Sequence, residues 1–324
     1  MAELFLREAA TRPDCPETLV AHRVSGTTCL YFGDFVDAHE HFQKSIKLYD
    51  QAWHGDFANR FVHDPRAAAE IRDAITLWAL GRIDDSLRLA DRALADAESA
   101  AHAPTRGYAL TFAALLGLLR RNPEAVATYS QASADIASQY DLPGNWAALG
   151  EETGFFRGWA KRSEAAEESR LAEMRRSLAI LRERGQVWLL PRFEAALAEA
   201  EASAGETDAG LRRLDDALAE LERTEQRWYE AEMHRIRGDI LLQLDPAHTA
   251  AAEQSLRTAI AVAQSQKARS FELRAALSLA NLYRATNRDA DAHSVLAPAV
   301  EGFPPTQQFP ELTEAQALLA ALNP

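Results

Sequence analysis

The residues best equipped for chemistry crowd into the stretch from Asp50 to Pro65, which gathers Trp53, His54, Arg60, Phe61, His63 and Asp64. Imidazoles, a guanidinium, a carboxylate and an indole on one long loop are the groups of a ligand-contacting flap. The same residues also suit plain packing: Trp53 and Phe61 against a neighbouring hairpin, with Asp64 capping a helix that starts at Pro65. Just upstream, His39-Glu40-His41 resembles a metal-binding triplet. Residues two apart on a helix point about 200° apart, so these imidazoles diverge and no metal centre is expected. Asp84-Asp85 and Asp215-Asp216 fall at helix starts, where carboxylates complement the positive end of the helix dipole rather than trade protons. The chain has no G-x4-G-K-[ST], H-E-x-x-H or G-x-S-x-G, and no G-x-G-x-x-G after a strand. Neither an enzyme nor a cofactor is expected.

The elements that must position these groups are helices. Ala, Leu, Glu and Arg fill most windows, β-branched alternation is absent, and prolines and glycines fall mostly between periodic segments. A chain of 324 residues, 47% hydrophobic, exceeds what one compact core holds, which leaves two domains or an elongated array. A net charge of −13 argues against a nucleic-acid binder, although a local basic groove could sit inside an acidic shell. Cys15 and Cys29 form no disulfide framework or metal spacing. The N-terminus lacks a secretory signal pattern, and the longest apolar run, Gly107 to Leu119, is too short to span a membrane. These features point to the cytoplasm.

Leu19 to Tyr49 supplies the unit of the array: two helical patterns broken at Gly33-Asp34, with Gly26 on the first arm and Ala38, Phe42 and Ser45 along one face of the second. Comparable breaks fall at Gly81, Arg120, Ala165, Gly205, about residue 247, and Asn287, a period near 40 over about seven hairpins. Each hairpin buries its apolar face on its neighbours. Residues 1–18 hold a helix read as a cap or the remnant of a preceding repeat, 19–302 the solenoid, and 303–324 a capping helix with Leu312, Ala315, Leu318 and Leu319.

This pattern resembles the tetratricopeptide repeat. Gly26, Gly33, Phe35, Ala38 and Phe42 match it best in the first unit, and Leu279, Ala280, Tyr283 and Ala292 in the last. The period here is longer, and the proline that closes each repeat is mostly missing. The resemblance implies an all-α, right-handed solenoid whose first arms line a concave groove. Counting from the small crossing residue of each first arm, that groove would be lined by Arg23, Ile71, Trp78, Phe155, Trp159, Arg162, Arg235, Asp239, Asn281 and Arg284. Aromatic residues flanked by arginines suit a peptide or helix bearing carboxylates. Each aromatic could equally pack the core, and the arginines could pair along their helices.

A second resemblance spans nearly the whole chain. It rests on Tyr49-Asp50, Trp53-His54, Arg60-Phe61, His63-Asp64-Pro65 and Leu77-Trp78-Ala79-Leu80-Gly81. It continues in Arg227-Trp228-Tyr229-Glu230-Ala231-Glu232, Arg237-Gly238-Asp239 and Ser270-Phe271-Glu272-Leu273-Arg274-Ala275-Ala276. These segments look like the C-terminal helical region of bacterial multidomain signalling proteins, in which an adenylate/guanylate cyclase domain precedes a predicted regulatory ATPase. No motif of either domain is present, so their catalysis does not carry over. The expected function is a regulatory module whose groove binds a protein, a peptide or a neighbouring domain. Two alternatives stay open: a small-molecule sensor that uses the 50–65 loop, and a scaffold that self-associates through an exposed end. Whether the chain is a monomer or a dimer is left open by the sequence.

Overall fold

A computed structural model describes residues 2–11, 17–50, 56–140, 147–161, 167–185, 190–245, 249–304, 306 and 308–322. All the described regular structure is helical. The fold is an all-α array of antiparallel hairpins, of the solenoid class. The chain divides into two compact units, Met1–Leu77 with Asp85–Leu190, and Trp78–Asp84 with Pro191–Pro324.

The first unit opens with α1 (Ala2–Ala10), followed by the hairpin of α2 (Thr18–Phe32) and α3 (Phe35–Leu48). A single-turn helix α4 (Phe57–Arg60) interrupts the long loop. Then come α5 (Pro65–Ala79) with α6 (Ile83–Ser99), α7 (Ala103–Leu119) with α8 (Pro123–Gln139), and α9 (Ala147–Ala160) with α10 (Glu167–Glu183). The second unit holds α11 (Leu190–Ser203) with α12 (Thr207–Thr224), a 3₁₀ turn at Arg227–Tyr229, and α13 (Glu230–Leu244) with α14 (Thr249–Ser265). It ends with α15 (Arg269–Ala285), α16 (Asp289–Val300) and α17 (Pro310–Leu322). The turn between α5 and α6 also belongs to this unit.

Five hairpins, those whose turns are described, share one way of turning. Gly33, Gly81, Arg121, Gly205 and Asn287 all take positive φ, between 54° and 88°. The next N–H reaches back across the helix end: Asp34 to Cys29 O at 2.9 Å, Asn122 to Gly117 O at 2.9 Å, Glu206 to Glu201 O at 2.9 Å and Arg288 to Tyr283 O at 2.8 Å. This bond satisfies a carbonyl the helix leaves open and fixes where the second arm starts.

From these left-handed residues, the fifth, ninth and twelfth positions face the first arm. Ala38, Phe42 and Ser45 are buried in the first hairpin, Gly210, Leu214 and Ala217 in the fifth, and Ala292, Leu296 and Ala299 in the seventh. Burying one such phenylalanine or leucine contributes about 2–3 kcal/mol. Opposite them sit small residues. A Cβ on Gly26 would lie 2.9 Å from the Phe42 ring, and one on Gly238 would lie 2.7 Å from Leu256.

The third hairpin corrects the sequence reading. A break at Arg120 predicts Ala125, Tyr129 and Ala132 on the inner face. The left-handed residue is Arg121, so the buried stripe is Val126, Ser130 and Ser133, one position later. Asn122 fixes this register as N-cap, its Oδ1 accepting from Ala125 N–H at 2.9 Å, with Pro123 in the first turn. The apolar run 107–119 forms most of α7 and is buried along nearly its whole length. No helix among the described residues is long and apolar enough to cross a membrane.

Candidate functional site

The first arms α2, α5 and α7 of the first unit lie side by side, joined by one residue. Arg72 of α5 is buried, with its Nε donating to Tyr108 Oη of α7 at 2.6 Å and its Nη1 donating to Tyr31 Oη of α2 at 2.7 Å. Its guanidinium carbon stands 4.1 Å from the centre of the Phe112 ring and 5.3 Å from that of Tyr31. Aromatic faces and phenol oxygens thus stabilise a cation to which, among the described residues, no carboxylate is bonded. Arg23, one of the groove residues expected from the sequence, is close enough to Arg72 and Tyr108 to interact with both. Burial lowers its pKa, Tyr108 opposes that, and the like charge of Arg72 lowers it further. Its guanidinium makes no hydrogen bond or ion pair among the described residues, and its Nε is buried without a partner.

The loop contributes His63 to the same place. Its ring lies 4.0 Å from that of Tyr108, centre to centre. Burial, then Arg23, Arg72 and His102, pushes its pKa down to about 3, so the imidazole is neutral at ordinary pH. The neighbouring Asp64 is the N-cap of α5: Oδ1 accepts from Ala67 N–H at 2.9 Å, and Oδ2 accepts from Tyr49 Oη at 2.9 Å. Arg60 turns away, pairing with Glu17 at 2.6 Å and lying over the Phe57 and Phe61 rings. Trp53 and His54 lie outside the described residues.

The other expected groove residues are dispersed. Trp78 is fully buried in the second unit, edge-on to Phe271 at 5.2 Å and Phe309 at 6.2 Å, with the Arg274 guanidinium 4.9 Å from its ring centre. It packs core instead of lining a surface. The reason is the turn it precedes, which is held by α15 and by the segment before α17: Ser270 Oγ donates to Trp78 O at 2.5 Å, and Thr306 Oγ1 to Asp84 at 2.8 Å. Ile71, Phe155 and Trp159 are buried as well, because their large apolar surfaces fill the space between neighbouring helices. Arg162 lies outside the described residues. Asn281 and Arg284 are exposed on α15.

Arg235 is buried among carboxylates, its two Nη groups donating to Asp239 at 2.5 Å, Glu232 at 2.9 Å and Glu199 at 3.2 Å. These acids raise its pKa against the effect of burial. Asp239 also accepts from Ser278 of α15 at 3.4 Å. The first arms of the second unit therefore present bound cations and partly exposed carboxylates, whereas those of the first unit present cations and aromatic rings. His39 and His41 do diverge: His39 meets Asp73 at 2.7 Å, and His41 meets His22 at 3.0 Å.

Sequence reasoning missed Arg72, Tyr31 and Tyr108. Spacing along one helix selects Ile71 and Trp78 in α5, while Arg72 is defined by partners on the two flanking helices. A lone arginine on the otherwise apolar side of α5 was the available signal.

No known protein-family model matches the chain. A curated relative, an uncharacterised protein of Rhizobium meliloti, is 27% identical over 260 residues, a match covering 78% of this chain and 25% of the relative. The chain thus spans a quarter of that relative's length. Among solved structures, a Rap protein complexed with competence and sporulation factor has a TM-score of 0.60 at 13% identity, covering 95% of this chain and 88% of the other. Yeast Tom70 gives a TM-score of 0.49 at 13% identity over 99% of this chain and 57% of its own. A signal-transduction ATPase with a tetratricopeptide-repeat sensor from Pyrococcus horikoshii gives 0.48 at 14% identity over 95% and 49%. The likeness is one of fold: this is a tetratricopeptide-like array of helical hairpins.

Proposed function

We propose that this array is a non-catalytic interaction module that binds a protein or peptide along the first arms of its hairpins. The observation that carries this reading is the alignment of α2, α5 and α7 through Arg72, which sets half-buried Arg23, Tyr31 and His63 beside buried rings. Rigid aromatics with guanidiniums among them are the residue types on which interfaces concentrate their binding energy. The Rap protein complex supports the reading at the level of fold. The signalling context implied by the cyclase- and ATPase-linked resemblance belongs to the same proposal. It is supported by a relative about four times as long as the matched region. In that setting the array would recruit or restrain a catalytic neighbour.

The test is a displayed-peptide selection against the whole chain, followed by titration of the enriched peptides. Replacing Tyr31 by Ala on the first arm should weaken binding at least tenfold, about 1.4 kcal/mol. Replacing exposed Arg88 on the second arm α6 should leave it unchanged. Peptides that bind the Tyr31 variant as well as wild type would refute the first-arm assignment.

A further inference from the structure

We propose that Arg23 and Arg72 form a binding site for a dianionic phosphate group. Two guanidiniums from adjacent first arms act on one another electrostatically, and among the described residues neither is bonded or ion-paired to a carboxylate. Buried cations are ordinarily paired, and removing a partner from such a pair costs several kcal/mol. Here Arg72 is buried and Arg23 half-buried with its Nε out of solvent, and among the described residues no carboxylate is bonded to either, in a chain that carries an excess of 13 negative charges overall.

The surroundings sharpen the choice of ligand. Arg72 is held from behind by the Tyr31 and Tyr108 hydroxyls and the Phe112 ring, which fix its plane and leave Nη2 without a bond. Arg23 keeps its whole donor set, with Nε already stripped of solvent. His63, neutral and with its ring tilted against Tyr108, adds no third charge. Asp64, next to His63, has its oxygens occupied by the Ala67 N–H and the Tyr49 hydroxyl, and Asp73, next to Arg72, is held by His39 and Gln43. Two uncompensated positive charges with forked donors match one group carrying two negative charges and several acceptor oxygens. A single carboxylate would neutralise only half of the site. A phosphate monoester carries close to two charges above about pH 7. Arg23, Tyr31 and His63 are all partly exposed, so the group can enter from solvent. The inference is independent of whether the array binds a protein.

The experiment is calorimetric titration of the whole chain at about pH 8, where phosphate is a dianion, with chloride holding ionic strength constant. Inorganic phosphate and phenyl phosphate are the two arms that separate a free ion from an esterified ligand, and acetate is the single-charge control. Saturable binding of either phosphate species, with none of acetate, is expected. Arg23→Met should weaken it at least tenfold and raise Tm in phosphate-free buffer, because a like charge is removed. Arg23→Gln repeats the comparison with a polar side chain should the methionine variant fold poorly. Phosphate binding unchanged in these variants, acetate binding as well as phosphate, or no binding of either phosphate species would overturn the proposal.

Discussion

Arg213 and Arg72 are both guanidiniums embedded among helices, yet the groups around them differ in charge. Arg213 reaches from α12 to the buried carboxylates of α11, donating to Glu201 at 2.8 and 2.9 Å and to Glu194 at 2.9 Å. Removing it takes a hydrogen-bonded cation away from two buried acids, so Arg213→Met should cost roughly 2–4 kcal/mol in urea denaturation. A cost below about 1 kcal/mol would show that these carboxylates are not held as described. Glu70 offers a test by pH. It is fully buried, and desolvation, offset by Arg92 and reinforced by Asp96, pushes its pKa up from 4.5 to about 7. A carboxyl that binds its proton more tightly when folded gives its full stabilisation below about pH 4.5. That contribution is lost as pH rises through about 7. Glu70→Gln should therefore gain stability relative to wild type as pH rises from about 5 to 8, measured as Tm. A constant difference across that range would contradict the raised pKa. At this scale Arg235 was legible in part, since Glu232 and Asp239 stand three before and four after it on its own helix. Arg72 was least legible, because its phenol partners Tyr108 and Tyr31 lie 36 and 41 positions away.

At the scale of elements, the hairpin is set by its turn residue and its crossing glycine. A Cβ on Gly210 would lie 2.6 Å from the Ala198 carbonyl oxygen, backbone against backbone. Gly210→Ala should cost about 1–3 kcal/mol, because the arms must separate. Arg121 holds φ at 54° in the position glycine fills elsewhere. Arg121→Gly should be neutral to stabilising by up to about 1 kcal/mol, and a clear loss of Tm would deny the strain. These turns also explain what could be read in advance. Gly33, Gly81 and Gly205 mark their breaks openly, and the period follows from them. Arg121 disguises its turn behind a side chain, which displaces the predicted inner face of α8 by one residue. The long loop was legible in part: Asp64-Pro65 announces a helix start, whereas the path of His63 to Tyr108 depends on α7.

At the scale of the molecule, each unit has its own buried polar centre. In the first, Arg72 is held among rings and phenols; in the second, Arg235 and Arg213 are bonded to acids. Stability in stacked arrays is largely a sum of local terms, so a lesion in one unit should be felt there first. Hydrogen exchange on the Arg213→Met variant is expected to quicken in α11 to α13 with little change in α2 and α3. Uniform quickening across the chain would show a single cooperative block. The fold class was readable from sequence because every hairpin repeats the same instruction. The proposed binding face was not, because it would be composed of single residues contributed by successive copies. Site-specific photocrosslinking with a selected peptide tests that face most directly. A photoreactive residue at Tyr31 of α2 or Ser278 of α15 should capture the peptide, while one at exposed Thr128 of α8 or Gln254 of α14 should not. Capture from Thr128 or Gln254 alone would place binding on the second arms and contradict the account.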